Sequence, residues 1–172
     1  MCTIKNLALQ FCEGEYDYEV KDDVWPKVFE YLLENEKDLS VNKERVHTLW
    51  TVNGGHLRRN VDNDDLVLSV LLNFLPKYDG TGLVLYRGEC KFLYDDKKIG
   101  FCWTPEVEVA KGFASGLNSI ESGGVLLTAY APSYAIISSP NKHSANQMQE
   151  FEYTCNPNFL ENIRILETFG KF

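Results

Sequence analysis

The chain has 172 residues, of which 44% are hydrophobic and 13% aromatic, and its formal net charge is −8 at pH 7. This length and composition predict one globular domain with a sizeable core and exclude an intrinsically disordered chain. The acidic balance argues against broad nucleic-acid binding, which depends on neutralising phosphates with lysine and arginine. A small anionic ligand held in a local basic pocket is compatible with it.

The cysteines and histidines show no pattern of a disulfide framework or a metal site. The cysteines are scattered and form no C-x-x-C pair: Cys2, Cys12, Cys90, Cys102 and Cys155. The histidines are far apart in the chain: His47, His56 and His143. None has ligand spacing with cysteine or acidic residues, so we expect no metal. The N-terminus lacks a signal-peptide pattern and no apolar run is long enough for a bilayer, so we expect a cytoplasmic protein without membrane contact, with delivery into a host or target cell left open.

The sequence up to residue 78 predicts a helical layer. Residues 1–22 fit either a strand or a loose arm, because a short apolar run is followed by an acidic and aromatic stretch. A first helix is predicted next, with Asp22 or Asp23 as its cap and Pro26 in its first turn. Its apolar stripe is typical of a core-facing helix rather than of a cofactor site.

Two more helices are predicted before residue 78. The second begins at Ser40, which can cap a helix, and is expected to stop at residues 53–55, where two glycines follow an asparagine. The third opens within residues 62–65 and ends at Pro76.

Beyond Gly82 the pattern changes to short apolar segments bounded by turn residues. One short helix is predicted at 105–114, followed by a Gly/Ser/Asn-rich loop to residue 124. The predicted strands are 83–87, 100–104, 125–131, 135–138, 151–155 and 163–169. Helices ahead of short strands predict an α+β domain.

The first candidate site lies where the apolar run 83–86 meets Arg87 and Gly88. A guanidinium at the end of a buried strand is held on a rigid element, and arginine forks well onto phosphate or carboxylate. Gly88 beside it lets a ligand or another backbone come close. Taken alone, the stretch also fits an arginine paired with a neighbouring acid, and both interpretations stay open.

Two later stretches add polar and acidic groups. In the first, Cys102, Trp103 and Thr104 lie on a predicted strand that leads into a helix. In the second, Glu150 lies at the mouth of the predicted strand 151–155 and Glu152 lies within it, two residues apart, so we expect them to share a face and point into one cleft. Two close carboxylates raise each other's pKa, which is unfavourable unless they serve chemistry or face solvent. A solvated strand face is the alternative for this pair.

In this order, the three stretches resemble the mono-ADP-ribosyltransferase superfamily in its arginine–serine–glutamate class. That pattern has an arginine ending a strand, then Ser-x-Thr on a second strand, then Glu-x-Glu opening a later one. The resemblance covers roughly residues 83–160, and Cys102 stands where the family usually has serine. It implies helices packed on a split pair of small β-sheets in a single domain 1–172, with a helical layer over 1–78 and an NAD-binding core over 79–172.

The resemblance also implies a reaction. NAD+ would be the substrate, its nicotinamide–ribose bond would be cleaved, and ADP-ribose would pass to a protein acceptor. Glu152 would face the positive charge that develops on the ribose, and Arg87 would hold a phosphate. Glu150 would orient or deprotonate the acceptor, and a glutamate there favours arginine as the acceptor residue.

The remaining implied NAD+ contacts surround the nicotinamide ribose. Cys102 and Thr104 would line that side, with Thr104 also bracing Glu152. Gly88, Trp103 and Phe113 complete the pocket, the two aromatic residues by core packing rather than by stacking. A catalytic thiol at Cys102 is disfavoured, because no histidine lies in a partnering motif.

Three functions stay open at this point. The first is a transferase that modifies a protein, as a toxin, an effector or a phage-encoded host modifier. The second is an NAD+ glycohydrolase that uses the same site with water. The third is a non-catalytic interaction module that keeps the fold, with Cys102 as a mark of lost activity.

Overall fold

The computed structural model describes residues 4–20 and 22–172, so Cys2 lies outside the described residues. The structure is mixed α+β, as predicted, and divides into two compact units, Met1–Lys77 and Tyr78–Phe172. The change from helices to strands falls at the boundary between the units. None of the helices in the described part of the chain is long and apolar enough to cross a membrane.

The first unit is helical. Its helices are α1 (Ile4–Cys12), α2 (Trp25–Glu34), α3 (Lys43–Val61) and α4 (Asp64–Phe74). Aromatic rings from three of them meet in the core, with Phe11 edge-on to Phe29 and to Phe74 at centroid distances of 5.3 and 6.4 Å. Edge-to-face contacts of this kind stabilise a core beyond the area they bury.

Helix α1 corrects the expectation of a strand or a loose arm near the N-terminus. Leu7, Ala8, Phe11 and Cys12 are buried, and their spacing is that of one helical face. The first predicted helix is α2, and Pro26 lies in its first turn as expected. A 3₁₀ turn over Asp22–Val24 leads into it, so Val24 and not an aspartate holds the cap position.

Helix α3 runs through the glycines that were expected to stop it. A Cβ added to Gly54 would lie 3.0 Å from the Trp50 ring, so the glycine makes room for that indole. The buried stripe continues to Val61, and tertiary packing therefore overrides the local preference of the glycine pair. The helix is capped by Asn42 rather than Ser40, and it ends at left-handed Asp62 (φ 47°).

Helix α4 begins inside the predicted window 62–65. Its cap is Asn63, whose side chain accepts the Leu66 N–H at 3.1 Å. It ends at Phe74, two residues before Pro76, because proline disfavours helical geometry in the residue that precedes it.

The second unit contains two antiparallel three-stranded sheets. The strands are β1 (Leu83–Cys90), β2 (Cys102–Trp103), β3 (Gly124–Ala131), β4 (Ile136–Ser138), β5 (Tyr153–Cys155) and β6 (Glu161–Phe169). One sheet has the order β1-β3-β6 and the other β2-β5-β4. A two-bond bridge between Tyr86 and Thr104, with N···O distances of 2.7 and 2.9 Å, joins the first sheet to the second.

Two helices belong to this unit, α5 (Lys91–Asp95) and α6 (Val107–Ser115), and the sequence did not predict α5. Helix α6 lies directly against β1 and β3. A Cβ on Gly88 would lie 2.3 Å from the Ala110 carbonyl oxygen, and one on Gly124 would lie 1.8 Å from that of Ala114. Of the two roles open for Gly88, the close approach of another backbone is therefore the one observed.

The segment before β5 differs from the prediction. Residues 151–155 were expected to form one strand, but the strand starts at Tyr153. Between the predicted strands 135–138 and 151–155, the chain forms a π-helical turn over His143–Met148. Gln149 and Phe151 are then left-handed, with φ of 56° and 49°.

Candidate functional site

A cavity of about 210 Å³ opens in the second unit beside β2 and the middle of β1, which runs on past Arg87 to Cys90 and does not end at the arginine as predicted. Every site residue named from the sequence lines it: Arg87, Gly88, Cys102, Trp103, Thr104, Phe113, Glu150 and Glu152. The walls are completed by Tyr86, Val109, Ala110 and Asn118. Three stretches that are far apart in the chain thus meet at one place.

Arg87 is paired with an acid of its own strand, the alternative that the sequence left open. Its Nε donates to Glu89 Oε2 at 2.7 Å, and its Nη1 donates to the Cys102 carbonyl oxygen at 2.7 Å. Glu89 is 1% exposed and also accepts the backbone N–H groups of Gly100 and Cys90, at 2.8 and 2.9 Å. The carboxylate is therefore fully hydrogen-bonded, as a buried charge must be.

The pair is electrostatically matched. Burial opposes the charged form of each partner, but the Arg87 guanidinium and the backbone donors lower the pKa of Glu89. Arg87 has a raised pKa in spite of its burial, because Glu89 faces it. A Cβ added to Gly100 would lie only 2.0 Å from Arg87 Nη2. Only glycine at position 100 therefore leaves room for the guanidinium.

Glu152 is the most perturbed carboxyl of the cavity. Burial raises its pKa to about 7, the Glu150 carboxylate adds to the rise, and the Cys102 thiol and Arg87 act against it. Its Oε1 is buried and has no hydrogen-bond partner among the described residues. A buried carboxyl oxygen without a partner is available to a ligand that carries a hydroxyl or a positive charge.

The Cys102 thiol interacts with this carboxyl and favours its ionised form, although burial of Glu152 has the larger effect on its pKa. Burial and the neighbouring Glu152 carboxylate raise the pKa of the Cys102 thiol well above its usual range. A thiol that stays protonated is a poor nucleophile. Its place beside Glu152 corresponds to the polar contact that a serine would make there, with a weaker donor.

Glu150 and Glu152 reach the cavity by a route other than the shared strand face. Residues 150–152 precede β5, and left-handed Phe151 lies between the two glutamates. The prediction that the two glutamates share a strand face is therefore wrong, although both side chains line the cavity. Burial raises the pKa of Glu150, and nearby His143 opposes that rise.

The other named residues support the walls. The Thr104 hydroxyl accepts the Glu106 N–H at 3.1 Å, which places its contact on the following turn rather than on Glu152. Trp103 is 1% exposed, belongs to the core, and donates its indole N–H to the Gly100 carbonyl oxygen at 3.1 Å. Phe113 is half-buried on α6.

Three contributors were missed by reading the sequence. Glu89 is two residues from Arg87 on β1, so the alternation of the strand would have placed it beside the arginine. Asn118, in a 3₁₀ turn after α6, donates its side-chain N–H to the Gly88 carbonyl oxygen at 2.8 Å. Ser144, in the π-helical turn, accepts the Glu152 N–H at 2.8 Å. No local sequence signal marks Asn118 or Ser144.

Within residues 4–20 and 22–172, no three His, Cys, Asp or Glu side chains are grouped so that they could hold a metal ion. Comparisons of the chain with family models, with curated proteins and with solved structures found no match.

Proposed function

We propose that this protein is an NAD+-dependent mono-ADP-ribosyltransferase with an ADP-ribosyltransferase-like fold, which transfers ADP-ribose to a protein acceptor. The observation that carries the proposal is the meeting of Arg87, Cys102, Glu150 and Glu152 at one cavity, where a buried Glu152 oxygen lacks a partner among the described residues. The motif order of the sequence supports the same reaction.

Glu152 would stabilise the reacting ribose. Cleavage breaks the bond between the ribose carbon and the nicotinamide nitrogen, and its electron pair leaves with nicotinamide, which departs neutral. Positive charge develops on the ribose in the transition state, as in glycoside hydrolysis. A fixed carboxylate beside that charge binds the transition state more tightly than the ground state, which is the requirement for catalysis.

Glu150 would act on the acceptor. The acceptor nitrogen donates its electron pair to the ribose carbon, and its proton passes to the Glu150 carboxylate. Burial raises the pKa of Glu150, which makes it a better proton acceptor than an exposed glutamate. A carboxylate at this place also matches a guanidinium, so arginine is the acceptor side chain that we propose.

Arg87 would give directional donors rather than a free charge, because Glu89 already balances it. Its Nη2 is not used by either of the two hydrogen bonds that fix the guanidinium. The cavity of about 210 Å³ is smaller than the roughly 300–1,000 Å³ of sites that enclose a drug-sized ligand. It would therefore hold the nicotinamide-ribose end of NAD+, with the rest of the dinucleotide outside it.

The test measures nicotinamide release and label transfer with the same samples. The protein is incubated with NAD+ labelled in its adenylate half, with and without a cell lysate. We expect release and labelled protein with the wild type. Glu152→Gln should lose both by about a hundredfold or more, the loss typical of removing a charge-stabilising group. Glu150→Gln should keep release and lose transfer, because water needs no positioned acceptor.

Glu106→Gln is the matched control, since Glu106 is an exposed glutamate outside the cavity lining. Nicotinamide release without labelled protein would make the protein an NAD+ glycohydrolase. A wild type that releases no nicotinamide with any lysate would overturn the proposal in favour of a non-catalytic module.

A further inference from the structure

We propose that Ser144 is the positioning residue that fixes the Glu152 carboxyl in the cavity, through hydrogen bonds to the backbone on both sides of Glu150. Its effect on catalysis depends on the function proposed above, but the positioning itself does not. Ser144 is fully buried at 0% exposure and does not line the cavity, so it acts through the glutamates and not on a substrate.

Ser144 accepts hydrogen bonds from three backbone N–H groups of residues 149–152. Its carbonyl oxygen accepts the N–H of Gln149 and, at 3.0 Å, that of Glu150. Its hydroxyl accepts the N–H of Glu152 at 2.8 Å. One residue therefore sets the path of the backbone from 149 to 152.

This path needs such support because it is strained. Gln149 and Phe151 have φ of 56° and 49°, and an aromatic side chain rarely adopts the left-handed region. Residues in such conformations raise the energy by roughly 1–3 kcal/mol each and persist only where the surroundings fix them. The Ser144 bonds are the contacts that bracket both strained residues.

Ser144 is itself anchored. Its N–H donates to the Asn141 side-chain oxygen at 2.8 Å, and the Ala145 N–H donates to the Asn141 carbonyl oxygen at 3.0 Å. These bonds start the π-helical turn, a local structure that is frequent at functional sites. The serine hydroxyl is thus presented from a fixed turn and not from a mobile loop.

The Glu152 backbone is fixed by a hydrogen bond to Ser144, whereas the Glu152 side chain has weaker contacts. Its Oε1 lacks a partner in the described part of the chain, and its contact with Cys102 is to a weak thiol donor. The place of the carboxyl therefore follows from where the backbone N–H of Glu152 is held. Without the Ser144 hydroxyl, that N–H loses its acceptor and the segment can relax toward solvent.

The test is a titration of the Glu152 carboxyl by ¹³C NMR in the full chain without NAD+. In wild type we expect a pKa near the value of about 7 that burial imposes. In Ser144→Ala the carboxyl gains solvent, so its pKa should fall toward the ordinary glutamate value of 4.5. Ser144→Thr keeps the hydroxyl and should restore the raised value.

Ser119→Ala is the matched control, because Ser119 is also a fully buried serine, and its hydroxyl donates to the Ser115 and Gly116 carbonyl oxygens rather than to the glutamate segment. It should leave the Glu152 titration unchanged. If Ser144→Ala does not fold, Ser144→Cys fills a similar space with a weak acceptor and serves as the second variant.

A folded Ser144→Ala or Ser144→Cys protein in which Glu152 titrates as in wild type would overturn the proposal. A second measurement is the rate of NAD+ cleavage. Ser144→Ala should lower it by about ten- to a hundredfold, the loss expected when a catalytic group is misplaced, with little change in NAD+ affinity. A shifted titration in a protein whose wild type cleaves no NAD+ supports the positioning role and refutes the reaction, so the two proposals fail separately.

Discussion

Arg87 and Glu89 form an ion pair within a single strand, with Arg87 Nε 2.7 Å from Glu89 Oε2. Residues two apart on β1 share a face, so the strand itself sets the geometry of the pair. The guanidinium is then oriented further by the Cys102 carbonyl oxygen on β2. The pair therefore connects the two sheets at the cavity wall and fixes Arg87 in place.

Removing one partner of this pair should be more harmful than removing both. Arg87→Met leaves the Glu89 carboxylate buried without its counter-charge, which is expected to lower the free energy of unfolding by about 3–5 kcal/mol. Adding Glu89→Gln removes the unpaired charge and keeps an oxygen for the Gly100 N–H. The double variant should recover a large part of the loss in urea denaturation at pH 7.

The contrary result is an Arg87→Met protein as stable as wild type, or one that Glu89→Gln does not rescue. Either would mean that the carboxylate finds water or another donor when the guanidinium is absent. The NAD+ affinity of the double variant, if it folds, then reports the Arg87 contact without the loss of stability. We expect it to fall by roughly ten- to a hundredfold, the equivalent of one charge-assisted hydrogen bond.

Gly88 and Gly112 should respond in opposite directions to the same substitution. Gly88→Ala places a methyl group 2.3 Å from the Ala110 carbonyl oxygen of α6, so helix and strand must separate. Overpacking of this kind lowers stability by about 1–3 kcal/mol or more. On α6, a Cβ at Gly112 would have no described atom within 4 Å apart from the nearby backbone of its own helix, so Gly112→Ala should raise stability by about 0.5–1 kcal/mol through helix propensity.

Thermal melts of the two alanine variants check this pair of expectations. A Gly88→Ala protein that melts with wild type would show that α6 tolerates a shift away from β1. The cavity would then widen between Phe113 and Arg87, so the substitution would change ligand affinity rather than stability.

The helices and strands were predictable where a residue pattern acts locally. The buried residues Leu7, Ala8, Phe11 and Cys12 have helical spacing. The apolar stretch is short and an acidic segment follows it, so the sequence pattern did not indicate a helix there. In α3 the glycines signalled a stop that the Trp50 contact with Gly54 overrides. Local propensity is weak against packing of this kind, which only the folded chain reveals.

The cavity was predictable from motif order but not from geometry. Glu150 and Glu152 were placed together by assuming a strand, while the observed segment uses left-handed Gln149 and Phe151. Non-glycine residues rarely adopt that conformation, so no local pattern could signal it. Ser144 supports the segment from five residues upstream of Gln149, a relationship that exists only once the π-helical turn has formed.

Cys102→Ser tests the thiol in the site. A hydroxyl is a stronger donor than a thiol, so serine should stabilise the ionised Glu152 and lower its pKa from about 7. NAD+ cleavage should be kept or raised, with the rise clearest below pH 7. The measurement is a pH profile of nicotinamide release for both proteins.

The same residue should resist alkylation in the wild type. Burial and Glu152 raise the pKa of the Cys102 thiol, so iodoacetamide at pH 8 should modify it more slowly than an unfolded control. A folded Cys102→Ser protein without activity, together with fast alkylation of Cys102, would instead favour a covalent mechanism through the thiol.

Glu152→Gln should stabilise the protein above neutral pH while it removes activity. Burial raises the pKa of Glu152 to about 7, above the ordinary value of 4.5 that it takes in the unfolded chain. The folded state therefore binds the Glu152 proton more tightly, and ionisation lowers stability as pH rises through this window. The loss starts near pH 4.5, is complete above about pH 7, and amounts to about 1–3 kcal/mol. Glutamine stays neutral, so the melting temperatures of the variant and the wild type should differ least at pH 5, where only a small part of the loss has occurred. At pH 8 the variant should melt higher, by about 2–4 °C for each kcal/mol.

Glu106→Gln, at an exposed position, should show no such divergence between pH 5 and pH 8. If the melting temperatures of Glu152→Gln and wild type differ by the same amount at both pH values, Glu152 is solvated in the folded protein. That result would contradict its proposed role as the group that stabilises the ribose charge.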